Sequence, residues 1–108
     1  MTWTLTTKNT RPNTGVNWYN NADSGFGPMS DSDTAYVQNN YVDNGKRVSS
    51  EITVSGEGLV RCNTLVFRDE ASYNEYTSDI IVTSFRNAQI TYNRSNNIIL
   101  TSRTSSAT

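Results

Sequence analysis

The sequence predicts an α+β domain, with strand and helix patterns in the order β-α-β-β-α-β along 108 residues. Three observations lead to it. Four segments alternate with a period of two, and helical spacing of three and four separates the first from the second and the third from the fourth. The third observation is the run Leu59 to Phe67, which has Leu59, Leu65 and Phe67 on one face and Val60, Cys62, Thr64 and Val66 on the other. Neither face is made for water, so this run reads as a central strand.

The first strand comes from Trp3, Leu5 and Thr7 opposed to Thr2, Thr4, Thr6 and Lys8, the pattern of a half-buried segment. From Asn9 to Met29 the chain is rich in Asn, Gly, Ser and Pro, with Arg11-Pro12 and Gly25-Phe26-Gly27-Pro28 as breaks, and reads as one long irregular loop. Loops of that length tend to serve a function or to cover an open surface. Ser30 to Asp33 offer caps and negative charge for a helix that carries Ala35, Tyr36, Val37, Tyr41 and Val42 and stops at Asn44-Gly45. Lys46 to Ser55 then alternates Val48, Ile52 and Val54 against Arg47, Ser49, Glu51 and Thr53, an edge strand with one wet face. Ser55-Gly56-Glu57-Gly58 is a hairpin turn into the central strand. Asp69 caps a helix over Glu70 to Ser78, and Ile80, Ile81, Ser84, Phe85, Ala88 and Tyr92 space a second helical piece that ends at Ser95-Asn96-Asn97. Ile98 to Arg103 is the last strand, and residues 104–108 are expected to fray.

This order is that of the ferredoxin-like split βαβ arrangement: a four-stranded antiparallel sheet with the first and third strands in the middle and the helices on one face. The other face is left bare, yet Val60, Cys62 and Val66 point to it. A second copy of the chain, the loop over residues 9–29 or a ligand is expected to cover it.

Composition narrows the functions. The chain fits one domain, with 34% hydrophobic residues, 10% aromatic and a net charge of −1, so it should fold despite its polarity. Nine scattered basic residues give no footprint for a nucleic-acid backbone. No stretch reaches membrane-spanning length, and the alternating start at Met1-Thr2-Trp3-Thr4-Leu5 is not a secretory signal, so a soluble protein made in a cytoplasm is expected. The one cysteine, Cys62, excludes an intrachain disulfide and reads as a small buried hydrophobe rather than a reactive thiol.

Catalytic motifs are scarce. The chain has no histidine, which removes the usual general base and the commonest metal ligand. Asp31-Ser32-Asp33 opens like a calcium loop, but Tyr36 and Val42 stand where that loop needs glycine and glutamate, so a helix cap is preferred. Gly25-Phe26-Gly27-Pro28 lacks the third glycine and preceding strand of a dinucleotide turn. Asp69-Glu70 suits a helix N-terminus, and Asn93-Arg94-Ser95 matches a glycosylation acceptor without a signal to make use of it. Neither a metal site nor a cofactor is implied. Trp18, Tyr19 and Phe26 are expected to plug the loop onto the sheet ahead of stacking on a ligand.

At Met1-Thr2-Trp3-Thr4-Leu5-Thr6-Thr7-Lys8 with Thr10-Arg11-Pro12, and again at Tyr41 to Arg47 and Phe67-Arg68-Asp69-Glu70, the chain resembles small uncharacterised proteins of tailed phages of marine cyanobacteria. The fold also looks like that of dimeric α/β-barrel proteins, which include cofactor-independent monooxygenases and purely structural dimers. The resemblance implies a non-enzymatic, virion-associated or assembly binding module in the host cytoplasm or the virion. It would act as a homodimer through Val60, Cys62 and Val66, with other phage structural proteins as further partners. The alternative is a small-molecule-binding or oxygenase-like dimeric barrel, for which Trp18, Tyr19, Tyr36 and Tyr41 would line a cavity.

Overall fold

The computed structural model describes residues 1–19 and 29–108. Phe26 and the Gly25 to Pro28 break lie outside the described residues. Strand β1 is Trp3–Thr10, helix α1 Asp31–Val37, β2 Arg47–Ser55, β3 Val60–Phe67, α2 Glu70–Ser78, α3 Ile80–Ser95 and β4 Ile99–Ala107. The four strands form one antiparallel sheet in the order β2-β3-β1-β4, with β3 and β1 in the middle as expected. Among the described residues no helix is long and apolar enough to cross a membrane.

Local chemistry sets the boundaries. Ser30 caps α1 by accepting from the N–H of Asp33, and Asp69 caps α2 through Ser72. Helix α1 runs on through one widened turn over Gln38–Val42, where the N–H of Asp43 donates to the carbonyl of Gln38 at 2.8 Å. Gly45, at φ +78°, then turns the chain into β2. The hairpin between β2 and β3 takes three successive residues through positive φ, Gly56, Glu57 and Gly58, and only Glu57 carries a Cβ there.

All three helices pack on the face that carries Leu5, Leu65 and Phe67. Phe67 is fully buried there, with the rings of Tyr73 and Tyr76 5.7 and 5.1 Å from its own. Cross-strand partners share a face, so the opposite face is spelled by Thr4↔Val66, Thr6↔Thr64 and Lys8↔Cys62, with Ser49, Glu51, Thr53 and Ser55 from β2 beyond them. Val60, Cys62 and Val66 lie half-buried among hydroxyl side chains.

Three expectations are corrected. Residues 104–108 do not fray: β4 pairs with β1 as far as Trp3↔Ala107, and the N–H of Thr108 donates to Thr2 at 3.0 Å. Alternating Ser and Thr extend a strand wherever a partner offers free backbone groups, and β1 offers a whole edge. Val48, Ile52 and Val54 do not form a buried face but stand 59%, 48% and 53% exposed, although Ile52 and Val54, paired with Asn63 and Arg61, are on the helix side of the sheet. A register shift between Arg47 and Ser49 sets Val48 outside the pairing, and the helices stop short of the β2 edge. Finally, the described part of the loop does not cover the open face. Residues 16–19 pack on α3 instead, where Tyr19 joins Tyr92 and Ile98 in a buried cluster.

Candidate functional site

The core is divided. One cluster, Leu5, Val37, Tyr41, Phe67 and Tyr76, closes one end of the helix–sheet interface, and Tyr19, Tyr92 and Ile98 close the other. Between them lies a cavity of about 160 Å³. Its floor is the middle of the sheet, with Thr7 and Asn9 from β1, Arg61 and Asn63 from β3 and Arg103 from β4; its roof is α2 and α3, with Thr83, Phe85, Arg86 and Gln89. A wider hollow adjoins it toward α1 and β2, and Arg61, Asn63 and Gln89 line both.

The cavity exists because polar residues occupy inward positions of the two central strands. In register, Leu5↔Leu65 is followed by Thr7↔Asn63 and Asn9↔Arg61, so the face turns from apolar to polar at one line across the sheet. Asn9 and Thr7 are 7% and 6% exposed, and Asn63 Oδ1 is buried without a hydrogen-bond partner. Arg86 donates to Gln89 Oε1 at 3.1 Å and Arg103 to Thr7 Oγ1 at 3.2 Å. Burial lowers the basicity of Arg61; at Arg86 burial acts first and the nearby charge of Arg103 adds to it. Leu5, Leu65, Val82 and Phe85 supply apolar wall. Among the described residues no carboxylate, thiol or imidazole lines the cavity. What it offers is positive charge, amide groups and an apolar surface in a confined space.

The aromatic residues expected to line a cavity do not line this one, and they are not together. Tyr19 lies 5.3 Å from the Phe85 ring and 5.6 Å from that of Tyr92, whose hydroxyl donates to Asn17 at 2.6 Å. The guanidinium of Arg11 sits 5.0 Å over the ring of Trp18 and also donates to Gly58 at 2.7 Å and Val16 at 2.8 Å. This pair therefore plugs the end of the sheet against α3. Tyr36 and Tyr41 meet elsewhere, each donating its hydroxyl to Asp79 Oδ2 at 2.6 Å. Asp79 also caps α3 through the N–H groups of Ile81 and Val82. Burial pushes the Asp79 carboxyl up, but the two tyrosine hydroxyls and the two N–H groups outweigh it and hold the group below its ordinary value. Burial first, then the bond to Asp79, raises Tyr41.

Arg61, Asn63, Arg86 and Arg103 did not stand out as a site in the sequence. The usable signal was Arg61 and Asn63 at alternate positions between Leu59 and Leu65, on a face otherwise apolar. Asn93 of the glycosylation match is buried in α3, which closes that possibility. Among the described residues no three His, Cys, Asp or Glu side chains come together as a metal site would need.

No protein-family model matches the chain, and no curated protein is similar to it in sequence. Its fold is similar to the structure of Rv0793 from Mycobacterium tuberculosis, with a TM-score of 0.55 over 98% of this chain and 94% of that one, at 13% identity. At that identity the likeness concerns the fold alone.

Proposed function

We propose that this chain is a small-molecule-binding α+β domain that holds its ligand between the sheet and helices α2 and α3. The observation that carries the reading is the divided core. A domain whose only task is structural packs its interior to crystal-like density, and here the middle of the helix–sheet interface is a polar-edged cavity. An engineered cavity of about 150 Å³ holds benzene, so this one has room for a ligand of one ring. Arginine and amide side chains in the lining suit holding a ligand, and binding is the role this reading assigns.

The test is to fill the space. Thr83→Phe places a ring in the cavity from the roof. Titrating the native protein with benzyl alcohol should shift amide resonances of β3 and α3, and the filled variant should show no such response while melting no lower than wild type. Shifts scattered over the surface, or unchanged by the filled variant, would contradict the reading.

A second reading, an assembly module acting as a homodimer, is supported by the open sheet face. Val60, Cys62 and Val66 stand on it, and the described part of the loop packs elsewhere. In that reading a second copy of the chain takes the face, and another phage structural protein is the further partner implied by the resemblance.

A further inference from the structure

We propose that the ligand carries a carboxylate on a small apolar body, and that Arg61, Arg86 and Arg103 hold the carboxylate; this rests on the reading of the cavity as a small-molecule site. Three guanidiniums from three different elements line one cavity, and none of the described residues lining it carries a negative charge. Among the described residues the ion pairs are Lys46 with Glu75 and Arg68 with Asp69, both away from it. Arg86 and Arg103 each make one side-chain hydrogen bond, to neutral partners, and Arg61 makes none among the described residues.

A guanidinium has five donors in a planar fork that matches a carboxylate edge to edge. Holding several such forks close together, two of them half-buried and none paired with an anion, is unfavourable unless something negative arrives. Arginine can also lie along an apolar wall with its head in water, and exposed Arg103 taken alone would fit that description. Arg61 does not. It stands in the central strand, opposite Asn9, on the face the helices cover. Leu65, Val82 and Phe85 line the same space, so a ligand anchored by its charge would have its body against them. Asn63 Oδ1, buried and unpartnered, is an acceptor that a hydroxyl on that body would satisfy.

Calorimetric titration of the full chain with benzoate, benzyl alcohol and inorganic phosphate separates the claims. Benzoate should bind at least tenfold more tightly than either of the others, and its affinity should fall as salt is raised. Arg61→Gln and, on the exposed edge strand where folding is least at risk, Arg103→Gln should each weaken benzoate tenfold or more and leave benzyl alcohol unchanged; Arg86→Lys should lose less than Arg86→Gln. Equal binding of benzoate and benzyl alcohol would overturn the arginine assignment while leaving the cavity reading in place. Phosphate as tight as benzoate would overturn the apolar body. Binding of none of the three would end both proposals.

Discussion

Asp79 has the most partners of any carboxylate described. It ends α2, caps α3 and receives two tyrosine hydroxyls, so one side chain joins the widened turn after α1 to the α2–α3 corner. Asp79→Ala should destabilise the fold by about 1–2 kcal/mol, the usual cost of a lost helix cap, and Asp79→Asn should cost less because it keeps a capping oxygen. The pH dependence has two limbs. The folded Asp79 carboxyl titrates below its ordinary value, so its contribution is fully present above about pH 4 and is lost as pH falls through the folded value. Tyr41 is raised, so its contribution is present below about pH 10 and is lost as pH rises beyond that. Thermal melts across pH should show the acid limb shrink in Asp79→Asn and the alkaline limb shrink in Tyr41→Phe. An unchanged profile in both variants would mean that the pair is not coupled to folding.

At the scale of elements, what the sequence made legible depended on how local the cause was. Caps at Ser30 and Asp69, the stop at Gly45 and the Gly56 to Gly58 turn are written within a few residues, and each element they bound is present where it was expected, whereas the Asp79 cap of α3 was not read from the sequence. The central places of the first and third strands also were legible, because the β-α-β-β-α-β order puts them in the middle of the split βαβ sheet. What failed was set at a distance. The inward direction of Val48 depended on a register shift against β3, and the fate of residues 104–108 on the length of β1 left free beside them. The cavity was hidden for the same reason: Arg61 and Arg86 are 25 residues apart in sequence, and Arg103 another 17 beyond, so only the fold brings them together.

Deleting residues 104–108 removes the pairs from Thr6↔Thr104 to Trp3↔Ala107 at an edge, and at about 1 kcal/mol per net hydrogen bond should lower the melting temperature by several degrees. An unchanged melt would mean that this end of β4 contributes nothing. Arg11 ties the β2–β3 turn, Val16 and the Trp18 ring together, so Arg11→Ala should speed hydrogen exchange at Gly58 and over residues 16–19 ahead of the sheet. Exchange that stays as slow there as in wild type would show the contact to be incidental.

For the whole molecule, the proposed homodimer rests on the open face. Three half-buried apolar side chains among threonines and serines supply on the order of 5 kcal/mol when two copies meet, at the low end of typical association costs. The homodimer we propose is therefore a weak one. Cys62 stands on that face, so its labelling by a thiol reagent should slow as protein concentration rises and become concentration-independent in Val66→Lys. Labelling that is fast and the same at every concentration in wild type would mean the face stays open to solvent.

The central claim is that the middle of the helix–sheet interface is a binding site lined by arginine. The guanidinium Nε–H resonances of Arg61, Arg86 and Arg103, followed by NMR as benzoate is added, test it most directly. They should move together along one binding curve, with the Asn63 side-chain amide, while the exposed guanidiniums of Arg68 and Arg94 stay still. Resonances that drift independently and without saturation, or that do not move at all, would contradict it.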